Sequence, residues 1–254
     1  MSRRFRVGVQ LHPQHTSMAD LRAAWERADG MGVDSIFTWD HFYPLYGAPD
    51  GPHFEGMSVL TAMALTTTNA EVGLMVTCNS YRNPELLADM YRTIDHLCEG
   101  RIILGIGSGW FERDYTEYGY SFGTAVGRLD ALRTSLERIE SRMARLNPPP
   151  TRKIPVLIGG SGEKVTLRLV AEHADSWNTF GPVDNWAAKN RILDQHCADV
   201  GRNGEEIERT VCIGDGDIDG VDAFVEAGAQ HVILMCGHPF DLGPLERLLA
   251  AAEG

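Results

Sequence analysis

Short apolar runs alternate with amphipathic stretches along the whole 254-residue chain, and that alternation restricts the fold more than any other feature. Phe5–Leu11, Val33–Trp39, Val72–Cys78, Arg101–Ile106, Ile154–Ile158, Asp175–Asn178, Thr210–Ile213 and His231–Met235 are short, continuous and rich in Val, Ile and Leu. Strands covered on both faces read this way, because neither face meets water. Between them, Leu21, Ala24, Trp25, Ala28 and Met31 follow the 3.6-residue helical period, as do Leu87, Met90, Tyr91, Ile94 and Leu97. Asn83 supplies an N-cap for the second of these, Pro84 its first turn and Gly100 its stop. The longest stripe, Leu129, Leu132, Leu136, Ile139, Met143 and Leu146, reads as a barrel helix and a candidate dimer surface. Eight strands alternating with helices predict a single (β/α)₈ TIM barrel spanning residues 1–254.

Composition narrows the function classes. At 43% hydrophobic and 23% charged, the chain reads as a globular protein that needs no staples. Its five cysteines are scattered with no C-x-x-C pair, so they read as reduced core thiols. A formal charge of −12 without a basic stripe argues against a nucleic-acid partner. No run of 18 apolar residues occurs, and the first strand begins almost at Met1. No membrane contact and a cytoplasmic location are therefore expected.

A barrel carries its chemistry in the loops after the strands, and several of these are unusual here. Trp39-Asp40-His41-Phe42 brings a carboxylate and an imidazole to the mouth. The pair suits proton transfer near neutrality, or caps a loop. In Gly105-Ile106-Gly107-Ser108-Gly109-Trp110 the third glycine of a dinucleotide fingerprint would fall on Trp110, so that reading fails. Its glycines instead admit a flat ring or another backbone, or simply turn the chain. Gly159-Gly160-Ser161-Gly162, with a helical stretch from Glu163, has the strand, glycine loop and helix start that seat a phosphate. Arg82 either meets an anionic ligand or pairs with an acidic loop. His12 and His15, with His41 and His53, give only a poor metal reading, and no metal site is assigned.

These segments, in order, resemble luciferase-like flavin oxidoreductases, and most closely the branch that uses the deazaflavin coenzyme F-420. The likeness rests on Trp39–Phe42, Tyr81–Pro84, Leu104–Trp110 and Ile154–Gly162, and on Leu167–Val170 through Ala174–Asn178. It implies a coenzyme ring over the mouth in contact with Asp40, and His41 as a base beside the hydride. It also implies a bulge with a non-proline cis peptide at Leu74–Met75, with Thr77 on the same segment. Gly107, Ser108 and Gly109 would border the coenzyme, with its phosphate on Gly159, Gly160, Ser161 and Gly162. FMN is the alternative cofactor, with a monooxygenase as the alternative enzyme and a non-catalytic flavin-binding barrel as the third reading. The expected partners are a small-molecule substrate and a second copy in a homodimer.

Two departures bear on the substrate. Trp110 stands where the sugar-phosphate dehydrogenases of the branch place a glutamate acid, leaving Glu112 or Asp114 as substitutes. Trimmed segments between Asn147 and Ile154 and around Gly214–Val221 predict an open mouth.

Overall fold

The computed structural model describes residues 3–254. All eight apolar runs become staves of one parallel barrel. The staves are β1 (Arg6–Leu11), β2 (Ser35–Thr38), β3 (Glu71–Leu74) with β4 (Thr77–Cys78), β5 (Ile102–Gly107), β6 (Val156–Gly159), β7 (Ser176–Phe180), β8 (Glu208–Ile213) and β9 (His231–Cys236). The third run is split, because Met75 and Val76 bulge out between β3 and β4. Closure, which periodicity alone does not specify, comes from β5. Its lower half pairs with β3, Val72 opposite Ile102, and its upper half with β4, Cys78 opposite Gly107.

The surrounding helices are α1 (Met18–Gly30), α2 (Gly56–Thr66), α3 (Pro84–Leu97), α4 (Glu112–Tyr118), α5 (Ala125–Met143), α6 (Thr166–His173), α7 (Val183–Val200), α8 (Val221–Glu226) and α9 (Gly243–Glu253). Their ends follow local chemistry. Asn83 caps α3 by accepting from the Leu86 N–H, with Pro84 in the first turn. The α5 stripe does not form the free dimer surface expected of it. Leu132, Leu136 and Ile139 are buried in the core, and α5 lies along α3. All five cysteines are free and buried. No described helix is long and apolar enough to cross a membrane.

The two barrel ends differ in kind. At the N-terminal end a crevice of about 1010 Å³ is walled by Arg3, Arg6, Asp34, Glu208 and other charged groups. Most of these are spent on one another: Arg6 bridges Glu71 (2.6 Å) and Glu208 (2.9 Å), and Arg3 pairs with Asp34 (3.0 Å). Just inside, the buried Ser35 hydroxyl lies 2.9 Å from His231 Nε2. Gly8 leaves them room, since a Cβ there would sit 2.3 Å from the Ser35 hydroxyl. This end is a stability device.

Candidate active site

At the C-terminal ends of the strands lies a cavity of about 400 Å³, within the range that holds small ligands and cofactors. Gln10, Met75, Val76, Asn178, Cys212 and Met235 line it, with Trp39, Asp40 and His41 on one wall. Tyr46, Trp110 and Phe180 also line it, and each is more than half exposed (51%, 63% and 54%).

The bulge contributes Met75 and Val76 to this lining, and it is held from several sides. Gln10 Nε2 donates to the Met75 carbonyl at 2.7 Å. The cis peptide is Met75–Val76, one bond beyond the expected Leu74–Met75. Strand register decides the difference: Leu74 still pairs with Thr38 in the ladder, so the bulge starts after it. Leu74 is fully buried in the core cluster that includes helix residues, and it does not line the cavity. Thr77 is fully buried too, its hydroxyl 2.8 Å from the Tyr91 hydroxyl.

Three mouth glycines serve this bulge, among them Gly107, expected beside the coenzyme, and Gly159, expected at its phosphate. A Cβ on Gly105 would meet the Leu74 carbonyl oxygen at 1.9 Å. Added to Gly107 or Gly159, it would meet the Val76 side chain at 2.7 or 2.8 Å. Of Gly107, Ser108 and Gly109, only Gly109 lines the cavity. Its φ of +80° suits glycine, and a Cβ there would strike the Tyr115 hydroxyl.

Asp40 and His41 emerge together after β2 but differ in their neighbours. Both Asp40 oxygens are engaged by Arg82, at 2.6 and 3.0 Å, and one also accepts from the Cys78 N–H. Arg82 reaches Glu55 as well, at 2.6 Å, so of its two readings the acidic pairing is the one seen. His41 Nδ1 lies 2.7 Å from Asp114 Oδ2. Asp114 is fully buried at the start of α4 and also accepts from the Tyr81 hydroxyl and the Phe42 and Tyr43 N–H groups. Four donors leave it the acceptor, so His41 carries its proton on Nδ1. Nε2 then presents a lone pair, and no described residue bonds it. Burial pushes the Tyr81 phenol up, as does the Asp114 carboxylate it bonds, so it stays a donor. Of the two substitutes weighed for the missing glutamate, Glu112 is exposed and Asp114 joins the site.

The sequence offers His12, His15 and His53 only as poor metal ligands; in the structure His12 and His53 pack on Trp39. His12 stacks on Trp39 with ring centroids 4.3 Å apart, and its Nδ1 meets the Tyr46 hydroxyl. The Trp39 indole N–H donates to His53 Nε2 at 3.0 Å. Burial lowers both histidines to about 4, so they are neutral. His15 bonds the Tyr46 carbonyl. These histidines serve aromatic and backbone partners, and no group of three potential metal ligands converges among the described residues. The only signal in the sequence was the density of His and aromatic residues.

The glycine loop after β6 departs from expectation in two respects. Gly159 and Gly160, expected at a phosphate, line the mouth cavity instead, and the Gly160 N–H is taken by the Asn178 carbonyl (3.0 Å). Regular helix starts at Thr166, three residues later than expected, and the intervening turn is closed by Leu167 N–H to the Gly162 carbonyl (3.0 Å). The N–H groups of Ser161 through Thr166 bond no other described backbone carbonyl, and the loop borders a hollow of about 330 Å³ with Lys164 and Lys189.

A family model described as luciferase-like monooxygenase matches residues 2–214 of this sequence. The chain belongs to the luciferase-like monooxygenase family. Within reach of that family, it is 26% identical over 178 residues to the F-420-dependent glucose-6-phosphate dehydrogenase of Amycolatopsis mediterranei (strain U-32), covering 63% of this chain and 53% of the relative. The chain thus spans about half the length of that relative. In shape it is similar to an F-420-dependent secondary alcohol dehydrogenase solved with an F-420–acetone adduct, at a TM-score of 0.89, 15% identity and 100% coverage of both chains. It is also similar to the FMN complex of the oxygenating constituent of 3,6-diketocamphane monooxygenase from Pseudomonas putida. That match has a TM-score of 0.76 and 15% identity, and covers 100% of this chain and 98% of the other. These two likenesses establish the luciferase-like barrel as the fold.

Proposed function

We propose that this chain is an oxidoreductase that moves a hydride between F-420 and a small organic substrate. The observation that carries the proposal is the His41–Asp114 pair, whose open imidazole nitrogen belongs to a residue lining a cavity at the barrel mouth. The residues present fit a flat coenzyme. Met75 and Val76 offer it an apolar support held from behind, and the free N–H groups of residues 161–166 suit its phosphate. F-420, when bound, supplies or accepts the hydride.

The chain's own residues then handle one proton and the geometry. His41 Nε2 takes the hydroxyl proton of an alcohol being oxidised, or returns it to a carbonyl being reduced. Asp114 fixes the imidazole and stabilises its charged form. Asp40 is a positioning group: pinned by Arg82 and the Cys78 N–H, it ties the end of β2 to the end of β4.

A parallel fluorescence titration with F-420 and FMN tests the cofactor. Micromolar binding of F-420 alone supports the proposal; binding of FMN alone transfers the chain to the monooxygenase reading; binding of neither leaves the non-catalytic barrel.

The homodimer belongs to the same proposal but on another face. Leu65 on α2 and Leu86 and Leu97 on α3 are exposed on two helices that touch each other. A second copy seated there would cover all three. Sedimentation of Leu86→Asp/Leu97→Asp beside the parent chain tests this, with a dimer-to-monomer shift expected.

A further inference from the structure

The charges around the cavity point to a substrate class, and this inference rests on the hydride-transfer proposal above. We infer that the substrate is an uncharged alcohol or carbonyl compound with an apolar body, and that phosphorylated and carboxylated compounds are excluded.

Among the described residues, no lysine or arginine lines the cavity. Arg82, which holds the cavity-lining Asp40, is shared between that carboxylate and Glu55, so the cluster carries one net negative charge. Asp114 adds another, and protonation of His41 does no more than cancel it. His12 and His53 supply no cation, since burial keeps both neutral down to about pH 4. A phosphate or carboxylate seated here would lose its water and gain no counter-charge, which is strongly unfavourable. Recognition of anions in such cavities depends on paired cations or clustered N–H groups. The N–H groups of residues 161–166 border a separate hollow.

What the cavity does offer is apolar. The Trp110 ring lies edge-on to His41 with centroids 5.9 Å apart. Phe180 and Tyr46 extend the aromatic lining. Asp40, Tyr46, Tyr81 and Asn178 also line the cavity but are engaged by Arg82, His12, Asp114 and Thr210, so the polar groups left to a substrate are few, chiefly the open His41 nitrogen and the Gln10 carboxamide oxygen. One oxygen on the substrate at His41, with the rest of the molecule against rings, satisfies this inventory. In the oxidising direction the substrate's C–H bond yields its hydride to the coenzyme. The hydroxyl proton passes to His41 Nε2, and the C=O bond forms.

The test compares cyclohexanone with glucose 6-phosphate by calorimetric titration of the coenzyme-free chain, and cyclohexanol with glucose 6-phosphate as hydride donors to added F-420. Expected is saturable cyclohexanone binding at least a hundredfold tighter than that of the phosphate, and reduction of F-420 by the alcohol alone. Trp110→Ala should weaken cyclohexanone at least tenfold. Phe180→Lys should raise glucose 6-phosphate binding about tenfold. Equal or tighter binding of the phosphate overturns the inference, as does no saturable binding of the ketone. Failure of F-420 to bind falls on the proposed function instead, because selectivity in the coenzyme-free chain is read separately.

Discussion

A histidine with one nitrogen committed to a buried carboxylate has the task of its other nitrogen defined. His41→Ala should therefore abolish turnover while F-420 affinity stays within a fewfold, measured by single-turnover absorbance and by titration. Asp114→Asn keeps the shape but no longer favours the proton on Nδ1. A loss of roughly 10²–10⁴ in kcat with little change in KM is expected, and loss confined to KM would assign Asp114 to binding. Arg82 makes a different prediction. Its removal in Arg82→Met leaves Asp40, wholly buried, without its cation, which should cost about 3–5 kcal/mol in urea unfolding. Asp40 and His41 were legible in the sequence as neighbours at a strand end facing the mouth. Their different roles were not, because the deciding partners stand 42 and 73 residues away. His12 was read only as a poor metal ligand, since its stacking on Trp39 and its Tyr46 contact exist only once the loops are folded.

Among elements, the bulge between β3 and β4 sets the demands on its neighbours. Gly107→Ala and Gly159→Ala would each press a methyl group on Val76 at under 3 Å, costing about 1–3 kcal/mol by overpacking. Val76→Ala should recover much of either loss in a double-mutant cycle. Gly105→Ala should be worse and unrecovered, because its methyl group meets the Leu74 backbone carbonyl. All eight staves could be read from apolar runs, and so could the α3 cap. The position of the cis peptide was read one bond early, because ladder register belongs to pairs of strands and no single strand encodes it. The start of α6 was misplaced for a similar reason: a glycine loop can enter its helix through an extra turn. The α5 stripe was real, but its partner is α3 of the same chain.

At the scale of the whole molecule, the pH dependence of stability should have two windows. His12 and His53 are held by burial at about 4, against about 6.5 in an unfolded chain. Their neutral burial stabilises fully above pH 6.5 and is lost as the pH falls toward 4, because the unfolded chain takes up protons first. Burial pushes Glu208 up, but His231 and Arg6 outweigh it and hold the carboxylate at about 2. Its contribution is lost between about 4.5 and 2. Thermal melts from pH 7 to pH 3 should fall in both ranges, and His12→Gln/His53→Gln should flatten only the upper one. The polar floor behind the lower window was invisible in the sequence, where its members are scattered from Arg6 to His231. The mouth at the other end, with Trp110 and Phe180 more than half exposed, is a room without a door. Chemistry that must hide a reactive species from water needs a sealed chamber. A direct handover between two molecules in contact can be done on the doorstep, and that is the kind of reaction this architecture suits.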